Sequence, residues 1–291
     1  MNGIIIKLVA GDYTVLSDNK TYNCKARGLF RNTNETPVCG DKVEFTYDES
    51  SKHGTITKIL PRKNKLLRPC VSNVDISLIV MSTIEPAFDS YLVDKLIVQI
   101  EMENIEPIIC ISKCEHMNDD LKALLENYEL AGYKVIPFSS HKNININKII
   151  DVIKNKTVVL CGQSAVGKSS LINVLANTNL KEIGNYSQKL GRGKHQTREV
   201  EFLKINGAFI ADTPGFSRLD LNIEKTSLAR IFKDFDKYSS GCKYNTCIHE
   251  NEPECKVKEA LEKGLIHPQR YKNYLQMLTE IKGDKKIWRK K

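Results

Sequence analysis

Over the first 60 residues the hydrophobic positions come in short runs. Ile4–Val9, Tyr13–Leu16, Thr21–Arg27, Lys42–Tyr47 and Gly54–Ile59 each read as a strand. Gly11-Asp12, Asp18-Asn19, Gly40-Asp41 and His53-Gly54 punctuate them. Five such strands predict a small closed barrel; an OB-fold is the leading candidate, and an SH3-like barrel has the same strand count. From residue 74 the period changes. Ile76–Met81, Pro107–Ile111, Val135–Phe138 and Thr157–Cys161 read as buried strands, and Tyr91–Met102, Leu121–Leu130 and Ile146–Ile153 as helices between them. That βαβα alternation predicts a mostly parallel sheet with helices on both faces. Residues 221–291 read as helical, rich in Lys and Glu, and interrupted by a Cys/His cluster. The expected organisation is multidomain: a β-barrel over 1–68, an α/β domain over 69–219 and a helical domain over 220–291.

The chain has 291 residues, enough for two or three domains, with a net charge of +9. Hydrophobic residues are 41% and charged residues 27%, which excludes wholesale disorder. No run of apolar residues is long enough to cross a membrane, and Met1–Lys7 lacks the pattern of a secretory signal. The basic charge suits a polyanionic partner and equally a solvated surface. Nine cysteines, an odd number, point to metal binding or buried thiols rather than a disulfide framework.

After the strand Thr157–Cys161 comes Gly162-Gln163-Ser164-Ala165-Val166-Gly167-Lys168-Ser169, then Ser170 and an apolar helix start. G-x-x-x-x-G-K-[ST] between a strand and a helix is a P-loop: backbone N–H groups and the helix N-terminus cradle phosphates. Lys168 is placed to reach the β- and γ-phosphates, and Ser169 to ligate Mg²⁺. Downstream, the strand Phe209–Ala211 ends in Asp212-Thr213-Pro214-Gly215. This is D-x-x-G, in which Asp212 would hold Mg²⁺ through water and the Gly215 N–H would sense the γ-phosphate. Between the two lies Gly191-Arg192-Gly193-Lys194-His195-Gln196-Thr197, where Thr197 can complete the Mg²⁺ shell as a switch loop does.

A GTPase also needs a base reader, N/T-K-x-D, after a strand. None follows Gly215. Upstream, Pro107–Ile111 runs into Ser112-Lys113-Cys114-Glu115, and Val135–Phe138 runs into Ser139-Ser140, which resembles the second guanine loop. The elements are therefore circularly permuted, which is permissible because domain termini lie close together. Further on, Cys242-x4-Cys247-x-His249-x5-Cys255 supplies a closed Cys₃His set, the type of one structural zinc site.

The permuted order, Gly191–Thr197, Asp212-Thr213-Pro214-Gly215-Phe216 and the Cys/His cluster together resemble one family over almost the whole chain. It is the circularly permuted, ribosome small-subunit-dependent GTPases of bacteria. The resemblance implies an OB-fold, a GTPase domain and a zinc-binding helical domain. It implies a cytoplasmic factor; a monomer with no membrane partner is expected. Its partners would be GTP or GDP and the small ribosomal subunit with its rRNA, which it assists late in maturation and which stimulates its turnover. Three positions depart from the family pattern. Ser112-Lys113-Cys114-Glu115 replaces N/T-K-x-D. Gln196 replaces a Thr. Ala165 replaces a Gly, which an alanine tolerates only with φ < 0. Phe216 cannot orient water, so His195 is the candidate to position the nucleophile, with Lys168 and Thr197 as the other catalytic groups. Arg27, Arg31, Arg62, Lys63, Lys65 and Arg68 on the barrel and its connector are the candidate RNA contacts. The altered motifs leave an alternative: a divergent, weakly or non-hydrolysing, nucleotide-gated ribosomal RNA binder.

Overall fold

The structure, a computed structural model, describes residues 1–31, 35–67, 70–177, 200–211 and 221–287. Five strands open the chain: β1 (Asn2–Val9), β2 (Asp12–Ser17), β3 (Lys20–Ala26), β4 (Lys42–Asp48) and β5 (His53–Ile59). They alternate, and every second residue of β2 and β4 points inward, burying Tyr13, Val15, Val43 and Phe45. β1 pairs antiparallel with β2 and β4, β2 with β3, and β4 with β5, while β3 and β5 run parallel. The parallel pair closes the barrel in the order 1-2-3-5-4 and decides for the OB-fold over the SH3-like alternative.

The basic connector is not a plain linker. Lys65–Leu67 (β6) and Cys70–Ser72 (β7) form a hairpin, and Cys39 bridges to Val71. Asp41, fully buried, accepts from Ser72 Oγ (2.6 Å), the Val38 N–H (2.8 Å) and Arg62 through Nε and Nη2 (2.7 Å each). A buried carboxylate is tolerable only with this kind of pairing.

The α/β part follows as β8 (Ile76–Ser82), α1 (Ser90–Met102), β9 (Glu106–Ser112), α2 (Asp119–Leu130), β10 (Lys134–Pro137), α3 (Ile146–Ile153), β11 (Thr157–Cys161), α4 (Lys168–Asn177), β12 (Val200–Ile205) and β13 (Ala208–Ala211). The helix starts obey local chemistry: Asp89 caps α1 by accepting from the Leu92 N–H, and Asn118 caps α2 by accepting from that of Leu121. Four more helices end the chain: α5 (Lys225–Ile231), α6 (Lys233–Ser239), α7 (Lys256–Glu262) and α8 (Pro268–Ile287).

Two compact units result. The first comprises residues 1–78, 145–161 and 167–217, the second 79–144, 162–166 and 218–291. In the first unit, β11 pairs parallel with β13, β13 antiparallel with β12, and β12 antiparallel with β1, so the barrel continues a sheet of the α/β part. Lys7 meets Glu201 at 2.8 Å across that junction. In the second unit β9 and β10 run parallel. There Val98 of α1 joins a core with Leu228, Phe235, Val257, Tyr274 and Met277 of the C-terminal helices. No helix among the described residues is long and apolar enough to cross a membrane.

Candidate nucleotide and zinc sites

The phosphate loop occupies the turn from β11 into α4. Gly162 has φ 129°, and a Cβ there would stand 2.0 Å from the Val80 carbonyl oxygen, so only glycine fits. Gly167 has φ 101°, and its carbonyl accepts from the Leu171 N–H at 2.9 Å as α4 begins at Lys168. Ala165 corrects the sequence expectation. Its φ is +66°, in the left-handed region where a Cβ crowds the following carbonyl. The loop keeps its shape and the alanine takes the strain. Gln163 and Val166 complete the turn; Ser164, Ala165, Ser169 and Ser170 face solvent.

On the base side, Ser112 ends β9 buried, and its Oγ donates to the Val166 carbonyl at 2.6 Å. The end of β9 is thereby tied to the phosphate loop. Lys113 turns left-handed (φ 54°), and its Nζ donates to the carbonyls of Ile84 (2.8 Å) and Glu85 (2.9 Å). Glu115 Oε1 accepts from Ser139 Oγ at 3.1 Å, and Ser139 Oγ accepts from the Lys142 N–H at 3.1 Å. Glu115 Oε2 is closed off from solvent and has no hydrogen-bond partner among the described residues. Its own backbone N–H, with the Ser139 hydroxyl, holds this carboxyl below the ordinary glutamate range, so it is ionised at neutral pH. An ionised acceptor with one free oxygen suits a base edge that presents adjacent N–H donors. Ser140 is half-buried beside Ser139. His195, Thr197, Asp212 and Gly215 lie outside the described residues, so Ser169 alone of the expected Mg²⁺ ligands is in view.

Cys242, Cys247, His249 and Cys255 converge with all ligand atoms within 4.8 Å of one another. His249 Nδ1 faces Cys255 Sγ at 3.3 Å and Cys242 Sγ at 3.7 Å. Zinc–sulfur bonds of about 2.3 Å imply tetrahedral sulfur–sulfur edges of about 3.8 Å; Cys242 and Cys255 Sγ lie 3.9 Å apart. Burial pushes the Cys247 thiol up to about 12 and the His249 imidazole down. Three thiols and an imidazole, all but Cys242 buried, fit a thiophilic dication, which favours thiolate and neutral histidine.

Two family models match the chain, one described as RsgA GTPase over residues 59–222 and one as RsgA N-terminal domain over residues 2–56. The chain belongs to the RsgA GTPase family. A small ribosomal subunit biogenesis GTPase RsgA of Clostridium acetobutylicum is 43% identical over 286 residues, which cover 97% of this chain and 98% of that one. An RsgA 2 of Listeria monocytogenes is also 43% identical, over 98% and 99%. Two solved structures are similar: YloQ, a circularly permuted GTPase (34% identity, TM-score 0.82, covering 97% and 95%), and YjeQ from Thermotoga maritima (33%, 0.83, 97% and 98%).

Around the RsgA-type motifs the structure adds residues that the sequence did not single out. Tyr271 Oη donates to the His249 carbonyl at 2.7 Å, and Tyr274 Oη to that of Ile248. Glu252 accepts from the N–H groups of Ile248 (2.9 Å), Glu250 (2.9 Å) and Asn251 (3.1 Å), shaping the loop that carries His249. Burial alone would raise this carboxyl; those N–H groups hold it below the usual range. A carboxylate between two metal ligands was the available signal. Of the candidate RNA contacts, Arg27 and Lys63 are exposed and Lys65 is half-buried. Lys63 pairs with Asp75 at 3.0 Å. Arg62 is committed to Asp41 and to the Thr36 carbonyl (3.0 Å). Arg68 and the side chain of Arg31 lie outside the described residues.

Proposed function

We propose that this chain hydrolyses GTP in the maturation of the small ribosomal subunit, that it binds the subunit's rRNA, and that the subunit stimulates its turnover. The observation that carries the nucleotide reading is the Ser112–Val166 bond. It sets Lys113 and Glu115 beside the phosphate loop although the two motifs stand in permuted order. Glu115, whose ionised Oε2 has no partner among the described residues, reads the guanine edge, and the Ser139 hydroxyl orients the carboxylate through Oε1. Gly162–Ser170 wraps the phosphates with N–H groups, and Lys168 neutralises the β- and γ-oxygens. Ser169, Thr197 and Asp212 would hold Mg²⁺, which supplies charge neutralisation at the phosphates. His195 orients the attacking water, and Gly215 senses the γ-phosphate. Cys242, Cys247, His249 and Cys255 would hold one zinc ion, which fixes the C-terminal helices. Arg27, Arg31, Lys63, Lys65 and Arg68 meet rRNA phosphates; Arg62 serves the barrel instead. The protein works in the cytoplasm as a monomer.

The test is hydrolysis of GTP and ATP by the purified zinc-replete protein, alone and with small subunits. Slow GTP turnover, raised strongly and GTP-specifically by the subunit, is expected. Tight subunit binding without stimulation of either nucleotide would instead establish the non-hydrolysing RNA binder. His195→Ala should abolish the stimulated rate; full stimulation in that variant refutes its role.

A further inference from the structure

Lys113 is held by a loop, and the loop is held from the far end of the chain. Beyond its two bonds through Nζ, its carbonyl accepts from Thr83 Oγ1 at 2.8 Å. Ile84 O takes Ser82 Oγ (2.6 Å) as well as Lys113 Nζ, so the start of the loop that leads into α1 is pinned to the Lys113 turn. The first turns of α1 are fixed by α8. Asn273 Nδ2 donates to Ser90 Oγ (3.2 Å) and Asp94 Oδ2 (2.6 Å). Its Oδ1 accepts from Gln269 Nε2 at 2.9 Å, which sets the amide the right way round. Arg270 donates to Asp94 and, through Nε (2.7 Å) and Nη2 (2.9 Å), to Asp234. Asp94, Arg270 and Asn273 are each 1% exposed, so the bonds among Asp94, Arg270, Asn273 and Asp234 are closed to water.

We infer that Asn273, on a helix of the zinc-bearing segment, is a positioning residue for guanine recognition, acting through α1 and the 83–89 loop on Lys113 and hence on Glu115. The inference rests on reading Ser112–Glu115 as the base reader. Close-packed interiors transmit small displacements, and only residues 86–89 separate Ser90 from the Ile84 and Glu85 carbonyls that hold Lys113. The C-terminal helices then influence which base is accepted without touching it.

The experiment measures the affinities of fluorescent GDP and ADP for the full-length, zinc-replete protein. A base-side displacement weakens GDP alone, whereas general damage weakens both. Asn273→Ala should raise the Kd for GDP about three- to tenfold and leave that for ADP in place, with kcat at saturating GTP unchanged. Ser90→Ala, which removes one acceptor from a half-buried position, should lower the ratio of GDP to ADP affinity about twofold and decides the matter if Asn273→Ala does not fold. Lys113→Ala is the control. If it lowers the GDP/ADP ratio while Ser90→Ala and Asn273→Ala do not, or weaken both nucleotides equally, the inference is overturned. If Lys113→Ala leaves the ratio unmoved, the base-reader reading itself falls.

Discussion

The Ser112–Glu115 turn, the candidate base reader, and the Cys₃His knuckle, the candidate zinc site, both hang on a few ionisable side chains, yet they are finished differently. In that turn, Glu115 keeps one oxygen without a partner among the described residues, and the neighbouring phosphate loop carries strain at Ala165. At the knuckle, Cys247, His249 and Cys255 are buried, and the carbonyls of Ile248 and His249 are already taken by Tyr274 and Tyr271. The backbone between the ligands is tied to Glu252. A site whose ligand comes and goes leaves acceptors open for it. A site whose ligand stays is enclosed, and its outer contacts are satisfied by protein.

The largest test of that contrast is metal removal. Structural zinc supplies about 10 kcal/mol or more of apparent folding free energy in small zinc modules. Chelation, or Cys255→Ser, should therefore unfold the segment around α7 and lower the helical circular-dichroism signal as zinc leaves. If the stripped protein keeps its full helicity and melting temperature, the knuckle is not the closed structural site its geometry describes.

Next in size is Arg270. Its guanidinium bridges Asp94 and Asp234 and lies 4.8 Å from the centre of the Tyr128 ring and 5.1 Å from that of Phe232. Burial holds the Asp94 carboxyl up at about 6 even with Arg270 and Asn273 pulling it down. Arg270→Ala strands two carboxylates in the core and should cost about 3–5 kcal/mol in denaturant unfolding. A loss under 1 kcal/mol would mean that water enters freely there, and the enclosed half of the comparison would fail.

Arg270 also marks where the sequence stopped being readable. The strands, the P-loop and the metal ligands were legible because each is a local pattern: a period of two, a fixed glycine spacing, four ligands within one short segment. The permuted order was legible because motifs keep their flanking strands wherever the chain is cut. Long-range pairings were not. Nothing near Arg270 announces Asp94, 176 residues away, and nothing near Arg62 announces that Asp41 would claim it. Lys-Asn-Lys-Leu-Leu after Arg62 looked like a connector because a three-residue strand is too short to show alternation. Ala165 failed for another reason. Sequence shows which residue occupies a turn, while φ is set by the contacts on either side, here the close approach of Gly162 to the Val80 carbonyl and the bond from Ser112 to Val166.

On the open side of the comparison, Glu115→Ala should cost about 1–3 kcal/mol of preference for guanine, the range for losing one bidentate base contact. It would be read as a fall in GTP-over-ATP discrimination with phosphate affinity retained. The carboxyl's pKa lies below the ordinary glutamate value of 4.5. A depressed carboxylate keeps its contribution above that value and loses it as pH falls through the folded value, so discrimination should stay flat from pH 8 to about 5 on this group's account. A decline already at pH 6 to 7 would assign base reading to another group.

The smallest effect tests the strain. A left-handed alanine costs about 1–2 kcal/mol, and a glycine gives back about 0.4–1 kcal/mol through unfolded-chain entropy. Ala165→Gly should therefore stabilise the protein by only about 0.8 kcal/mol, a shift of a degree or two in melting temperature. Where the gain appears matters more than its size. The loop's shape is fixed by protein atoms: Gly162 packs against Val80, and Ser112 bonds Val166. If those contacts impose the left-handed turn at all times, the gain goes wholly to folding and GDP affinity does not move. A severalfold rise in GDP affinity with no thermal shift would mean that the turn is completed by the nucleotide. The phosphate loop would then be ligand-organised, a sharper contrast with the knuckle than its geometry alone conveys.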